Sequence, residues 1–189
     1  MTIQFFPQGS PVGPAQLLQQ AKNHLTLPAP AVQLSPAADL RQYVQMPTWA
    51  WVPRSQWSPL TASAAAGPVS VNVTATPVRL AFTYQISGDG STGTATCNGP
   101  GTPYSDQLAV TEDPAQPILA ASPDCGWTWH ESSVDTPDKR YAVTAHVVYQ
   151  VVWTVSGAPG GGSLGDLNGQ DTSLRVPVGE IQAVNVAPR

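Results

Sequence analysis

The sequence predicts an all-β protein built as a β-sandwich, with one short helix near the N terminus. Pro and Gly are abundant, with 20 Pro and 16 Gly among 189 residues, and this composition favours frequent turns over long helices. Several stretches alternate apolar and polar side chains with a period of two, which is typical of half-buried strands. No helical pattern lies between these stretches, so a sandwich is favoured over an α/β fold.

Residues 1–40 are predicted to form a Pro-rich N-terminal segment with a short helix. Within it, Ala15–Leu25 carries the one helical pattern of the chain, and Pro14 suits the first helical turn. The apolar stripe of this helix consists of Leu17, Leu18, Ala21 and Leu25. A helix of about eleven residues is marginal alone. We therefore expect the stripe to pack on its own domain, with a partner protein or a membrane surface as the alternatives.

Residues 41–189 are predicted to form the sandwich domain. Val69–Thr76 and Val78–Ile86 alternate on either side of Pro77 and are expected to form two strands. The longest β-favouring run is Tyr141–Val155, and its length predicts a bend or bulge near Val148–Val152. Further strands are expected at Tyr43–Trp51, Thr94–Cys97, Gly126–His130, Ser173–Val178 and Ile181–Val186.

The two cysteines bear on the cellular compartment. Neither Cys97 nor Cys125 belongs to a Cys-x-x-Cys pair, so a four-ligand zinc site and a thioredoxin-like motif lack their parts. A Cys97–Cys125 disulfide is the favoured interpretation, and two buried free thiols in a cytosolic protein are the alternative. Low charge and abundant Thr, Ser, Gly and Pro also suit an oxidising compartment. The expected location is extracellular or in the cell envelope, although no signal peptide is visible in Met1–Pro7.

Charge and hydropathy exclude several classes of partner. Eight Lys and Arg against twelve Asp and Glu leave a net charge of −4, which argues against a nucleic-acid partner. No apolar run is long enough for a transmembrane segment. Gly157–Gly165 lacks the Gly-Lys-Ser/Thr of a phosphate loop and opens no helix, so we expect a flexible hairpin loop there and no nucleotide.

The sequence contains no recognisable pattern of metal-binding or catalytic residues. The three histidines, His24, His130 and His146, are widely spaced and lack metal-ligand spacing. We therefore predict no metal site, no cofactor and no catalytic residue. Asp89 and Asp124, together with acidic residues of the long loop between the cysteines, leave a calcium site as an alternative. Asp89 is expected instead to shape its own turn, since Asp and Gly suit tight turns.

Three segments share a pattern of strands and turns. An apolar strand ends in the turn Gly88–Gly90, an aromatic segment carries His130, and a later strand carries Tyr141 and Val143. In this pattern the chain resembles a PKD-type immunoglobulin-like domain. The resemblance implies an immunoglobulin-like β-sandwich.

A second resemblance covers about residues 40–186. It consists of a Trp-x-Trp start, a Thr-Ala-Ser-Ala linker, a segment around each cysteine, a later strand and a Val-Gly-Glu-x-Gln ending. The matching segments are Trp49–Trp51, Thr61–Ala64, Thr94–Tyr104, Pro123–Cys125, Arg140–Ala145 and Val178–Gln182. These segments are similar to those of a group of actinobacterial proteins of unassigned function, some of which are labelled ATP/GTP-binding. The resemblance implies an exported or surface protein and brings no catalytic residues with it.

Five tryptophans are the candidate binding residues. They are Trp49, Trp51 and Trp57 near the start of the predicted sandwich, and Trp127 and Trp129 on one strand. Trp127 and Trp129 flank Thr128 and therefore share a face. Exposed rings at this spacing stack on sugars or anchor a protein partner, whereas buried rings belong to the core beside the disulfide. We expect one tryptophan pair to be core and leave the other open.

Together these features predict a non-enzymatic module at the cell surface or outside the cell. The expected function is protein–protein contact or structural support, with an unidentified protein partner. The alternative is carbohydrate binding, in which the paired tryptophans hold cell-wall glycan. A hydrolase is the third candidate, for which no motif is present.

Overall fold

The computed structural model describes residues 12–105 and 120–181. Within these residues it shows one α-helix, α1 (Pro14–His24), and two short 3-10 turns at Arg54–Gln56 and Ser133–Asp135. The strands are β1 (Gln33–Ser35), β2 (Gln42–Tyr43), β3 (Pro47–Trp51), β4 (Leu60–Ala66), β5 (Val69–Gln85), β6 (Thr92–Cys97), β7 (Gly126–Thr128), β8 (Tyr141–Ser156), β9 (Gly161–Asn168), β10 (Thr172–Val176) and β11 (Val178–Gly179). The predicted all-β class and the predicted N-terminal helix are confirmed.

The strands form three sheets. One sheet has the order β1-β3-β7, and both of its pairings are antiparallel. The largest sheet has the order β10-β8-β5-β4, and in addition β6 pairs with β5 and β9 pairs with β8. A short parallel pair joins β11 to β2. The arrangement is sandwich-like because side chains of the first two sheets pack against each other, as described below.

Pro77 does not divide the chain into two strands, as the sequence predicted, but lies inside β5. Proline normally interrupts a strand because it lacks the N–H that a ladder needs. Here the pairing with β4 ends at Ala75 and the pairing with β6 begins at Leu80. Pro77 lies between these two ladders and interrupts neither. The buried positions shift at the same place, from the odd-numbered Val71 and Val73 to the even-numbered Leu80 and Phe82.

Two strands lie where the sequence suggested a linker and a loop. The Thr61–Ala64 segment is part of β4, and the Gly-rich segment 157–165 contributes to β9 from Gly161 onward. Glycine weakens a strand because it has no side chain to pack. Trp153 of the neighbouring β8 supplies that surface, since a Cβ at Gly162 would lie 3.3 Å from its indole nitrogen. This tryptophan explains why the segment forms a strand.

The described residues divide between two compact units. The first contains α1, β4, the Val69–Thr76 part of β5, the Gln150–Ser156 part of β8, and β9 as far as Asp166. Its helix packs on β4 and buries Leu17 and Ala21, which confirms the expected packing of the helix on its own chain. The second unit contains the remaining elements. The division of the sequence at residue 40 stays a prediction.

The buried side chains of each unit follow the strand periods. In the first unit the buried residues are Leu17, Ala21, Val71, Val73, Ala75 and Val151. In the second unit β8 buries alternate residues from Tyr141 until Val147, Val148 and Tyr149 are buried in succession. This break in alternation lies at the start of the stretch where the sequence predicted a bend or bulge. Part of the expected strand at 181–186 lies outside the described residues.

The predicted disulfide is present. Cys97 at the end of β6 and Cys125 just before β7 are bonded, with their Cα atoms 5.2 Å apart, inside the usual range for a disulfide. Both cysteines are buried. The alternative of two free thiols is therefore wrong.

We predict that the double variant Cys97→Ala plus Cys125→Ala loses about 3–4 kcal/mol of unfolding free energy. The bond joins residues 28 positions apart, and in the loop-entropy account a loop of this size restricts the unfolded chain by about that amount. Denaturant unfolding of the oxidised wild type and the variant measures the difference. Wild-type protein unfolded in reductant serves as the control and is expected to match the variant, and a difference below about 1 kcal/mol would contradict the prediction.

Candidate functional site

A cleft of about 600 Å³ opens in the second unit between two strands of different sheets. One wall is Gly93–Ala95 of β6, and the other is Gly126–Thr128 of β7. The turn between β5 and β6 and the residues that follow β7 form its rim. The volume is in the range typical of ligand-binding clefts, and this cleft is the candidate functional site.

The floor of the cleft, defined as Tyr84 and Trp127, is aromatic. Their rings are stacked, with centroids 4.8 Å apart and an interplanar angle of 13°. Phe82 lies 5.3 Å from Trp127 on the same strand as Tyr84. Because Phe82 and Tyr84 belong to β5 and Trp127 belongs to β7, these contacts join the two sheets. Aromatic pairs in such geometries stabilise by about 0.5–1.5 kcal/mol beyond their burial.

Trp129 continues this aromatic cluster beneath the floor. Its ring is perpendicular to that of Trp127 at 5.7 Å and to that of Tyr84 at 5.6 Å. On its other side it stacks on Tyr141 of β8 at 5.4 Å. We name the set Phe82, Tyr84, Trp127, Trp129 and Tyr141 the aromatic cluster. It forms the packed layer between the sheets of the second unit.

A buried amide holds Trp129 in place. The indole Nε1–H of Trp129 donates to the Oε1 atom of Gln42 at 2.7 Å, and the hydroxyl of Thr48 donates to the same oxygen at 2.6 Å. The Gln42 Nε2 atom donates in turn to the carbonyl of Pro36 at 2.9 Å. Both Gln42 and Thr48 are 1% exposed. Each polar atom of this small network thus has a partner, as buried polar groups require.

The indole of Trp127 differs from that of Trp129. Among the described residues, the Trp127 Nε1 atom is the one buried side-chain nitrogen or oxygen without a hydrogen-bond partner. A buried donor left unpaired costs about 1–3 kcal/mol. Trp127 therefore contributes to the core by ring packing alone, and the floor of the cleft contains an unused hydrogen-bond donor.

The rim of the cleft carries negative charge. Asp89 accepts hydrogen bonds from the Ser87 hydroxyl and, at 2.8 Å, from the Ser91 backbone N–H. The hydrogen bonds from Ser87 and Ser91 lower the pKa of Asp89 to about 2, so this exposed carboxyl is ionised at any ordinary pH. The expected turn-forming role of Asp89 is confirmed. Glu131 is a second exposed carboxyl on the rim.

Two tyrosines of the aromatic cluster have raised pKa values. Burial raises the pKa of Tyr84. Burial also raises the pKa of Tyr141, and the neighbouring carboxylates of Glu131, Asp135 and Asp89 add to that effect. Both phenols are therefore neutral near neutral pH, and the negative potential at the rim comes from carboxylates.

The structure separates the five candidate tryptophans by burial. Trp49 and Trp129 are each 1% exposed and Trp127 is 8% exposed, whereas Trp51 and Trp57 are half-buried. The Trp49 indole donates to the Ala120 carbonyl at 2.9 Å, and its ring meets Tyr104 edge-on at 5.4 Å. Trp127 and Trp129 share a face, as expected, and that face is core. Among the five, Trp127 lines the cleft.

Tyr84 was not among the predicted site residues. The alternation of Val78–Ile86 places it on the same face as Phe82 and does not distinguish the two. The available signal was position, because Tyr84 lies near the end of its strand and just before the Gly-Asp-Gly turn. A tyrosine there combines a buried ring with a polar edge near solvent.

The calcium alternative receives no support from the described residues. Asp124 accepts hydrogen bonds from the backbone N–H and hydroxyl of Thr102 at 3.0 and 2.9 Å, and Asp89 is used by its own turn. No group of three or more His, Cys, Asp or Glu side chains in the described ranges is placed to hold a metal ion. The acidic residues at 106, 112 and 113 lie outside the described residues.

Comparisons with family models, curated proteins and solved structures each returned no match. In the part of the chain that the structure describes, no helix has the length and apolarity needed to cross a bilayer.

We predict that Trp129→Phe destabilises the protein more than Trp127→Phe, by about 1 kcal/mol or more. Both changes remove the same atoms from a buried ring. The first also removes the hydrogen bond to Gln42, whereas the second removes a donor that has no partner. Urea unfolding of the two variants measures the difference, and equal losses would contradict the unequal roles assigned to the two indoles.

We predict that Asp89 contributes stability that is lost as the pH falls from about 4 towards 2. In the unfolded chain this carboxyl has its ordinary pKa of 3.8, and in the folded protein the pKa is about 2. Between these values the unfolded chain binds a proton that the folded protein does not, so acid favours unfolding. Unfolding of the wild type and Asp89→Asn across this range measures the effect, and their difference in stability is expected to shrink with acid. NMR measures the pKa of the Asp89 carboxyl in the folded protein, and a value near 4 would contradict the prediction.

Proposed function

We propose that this chain is an exported or cell-surface module without enzymatic activity that binds a protein partner in the cleft between β6 and β7. The sandwich-like sheets and the Gly88–Gly90 turn between β5 and β6 support placing it with immunoglobulin-like domains of the PKD type. The Cys97–Cys125 disulfide supports a site of action outside the reducing cytosol.

One observation carries the proposal: the two cleft walls are strand segments, and they meet over an aromatic floor. Strand edges supply backbone donors and acceptors, which an extended protein segment satisfies by adding a strand. Aromatic side chains supply the apolar contact area that anchors protein partners. A cleft with both features fits a polypeptide ligand.

Carbohydrate binding is the second candidate, and the stacked pair Tyr84 and Trp127 favours it. Sugar rings pack on aromatic faces, and their hydroxyls bond to polar groups such as Ser87, Asp89 and Thr128, which line the same cleft. The burial of Trp127 argues against it, because a ring that is 8% exposed offers little face to a sugar. We therefore favour a polypeptide ligand over a carbohydrate ligand.

We predict that peptides selected from a random-peptide phage library by the full chain bind at least about tenfold more weakly to Ala95→Phe. Ala95 lines the cleft and pairs with Phe82, so it lies on the face of β6 that is turned to the aromatic residues, and a larger side chain there occupies the space of the ligand. Thr96→Phe is the matched control, because Thr96 is the next residue of β6, is exposed on the opposite face and does not line the cleft. Calorimetry of the selected peptides measures both affinities, and tenfold corresponds to about 1.4 kcal/mol.

The same variants distinguish protein binding from carbohydrate binding when soluble cell-wall glycan fragments replace the peptides. Glycan binding that Ala95→Phe abolishes, without any peptide binding, would replace the protein-binding proposal with the carbohydrate one. Peptide binding that is equal in both variants would show that the cleft is not the site.

A further inference from the structure

The chemistry of the cleft indicates which polypeptide it takes, an inference that rests on the proposed function. We propose that the ligand is an extended segment carrying Lys or Arg, which pairs through its main chain with the edge of β6. Its cationic side chain then lies between the half-buried ring of Tyr84 and the carboxylates of Asp89 and Glu131. Three independent features of the cleft lead to this assignment.

The first feature is the open edge of β6. Among the described strands, β6 pairs with β5 alone and β7 pairs with β3 alone. Proteins usually protect such edges with Lys, Pro or a bulge. The sequence of β6, Thr-Gly-Thr-Ala-Thr-Cys, contains neither Lys nor Pro. An edge of this kind is a template for an added strand.

The second feature is the small size of the residues along the walls. Gly93, Ala95 and Gly126 line the cleft, and none of them has a side chain larger than a methyl group. At the two glycines the protein itself requires the small residue, because an added Cβ would lie 3.0 Å from the Tyr84 ring at Gly93 and would overlap the Thr48 carbonyl oxygen at Gly126. No long side chain on these walls therefore keeps a ligand backbone away from β6.

The third feature is the sign of the charge. Asp89 and Glu131 line the rim, and no Lys or Arg is among the lining residues. The hydrogen bonds that hold Asp89 keep it ionised, so its charge persists across the physiological range. The half-buried ring of Tyr84 gives a cation beside it a further attraction of about 0.5–1 kcal/mol, whereas Trp127 is too covered to contribute. An anionic segment would meet repulsion from both carboxylates.

A second copy of this chain fits the cleft less well than a basic partner. The net charge of −4 makes two copies repel each other. Self-association through the cleft is thus an outcome that the test must detect, and sedimentation of the chain without peptide detects it. Dimers that Ala95→Phe dissociates would overturn the proposal.

The test uses two synthetic peptides with blocked ends. One has the sequence Thr-Lys-Val-Lys-Val-Lys-Thr, and the other has Glu in place of each Lys. We expect the Lys peptide to bind the full chain at least about tenfold more tightly than the Glu peptide in low salt, with a smaller difference as salt is raised. Glu131→Gln is expected to weaken the Lys peptide about threefold or more, and Glu180→Gln, an exposed carboxyl outside this cleft, is the matched control.

N-methylation of the Lys peptide tests the main-chain pairing. A strand that adds to β6 donates backbone N–H groups from alternate residues. Methylation of the backbone nitrogens that point towards β6 is therefore expected to abolish binding. Methylation of the nitrogens of the intervening residues is expected to leave binding largely intact. Equal effects of the two sets would overturn strand addition.

The outcomes distinguish this inference from the proposed function. Equal affinity for the Lys and Glu peptides, or equal losses in Glu131→Gln and Glu180→Gln, would overturn the basic-ligand inference. The protein-binding proposal would survive that result if library peptides without Lys or Arg still bound more weakly to Ala95→Phe than to Thr96→Phe. If no peptide responds to Ala95→Phe, both fail together.

Discussion

The second unit depends on the buried side-chain amide of Gln42. This single group accepts hydrogen bonds from Trp129 and Thr48 and donates one to Pro36. It thereby fixes the indole that lies between Tyr141 on one side and the floor of the cleft on the other. A buried polar network whose members are all satisfied specifies one arrangement of the core. The orientation of the cleft floor is thus a consequence of a glutamine that does not itself line the cleft.

Different kinds of interaction fix the two ends of the cleft. At one end the disulfide joins the end of β6 to the residue before β7, and Asp124 beside it accepts two hydrogen bonds from Thr102. At the other end the Asp89 carboxylate closes the turn that connects β5 to β6. Walls fixed at both ends lose little conformational freedom when a ligand binds, and this preorganisation favours affinity.

Alternation of apolar residues was sufficient to predict most strands, the all-β class and the face shared by Trp127 and Trp129. The helix was predictable because both of its signals, Pro14 at the first turn and the apolar stripe from Leu17 to Leu25, are local patterns in the sequence. The β9 strand was not, since its glycines gain their packing surface from Trp153, which local sequence does not connect to them. The burial of Trp49 and Trp129 could not be predicted from the local sequence either, because it depends on partners that are distant in the chain, such as Ala120 and Gln42. The cleft requires both β6 and β7, which belong to different sheets, and no local pattern predicts that these two strands lie side by side.

The compact units described above are interleaved along the chain. The first unit draws on three separate stretches, and its boundaries cut through both β5 and β8. The boundaries after residues 76, 149 and 166 lie inside β5, β8 and β9, so a gene fragment that ends at one of them would sever a strand. Neither unit is therefore encoded by one continuous stretch that could be moved between genes as a cassette.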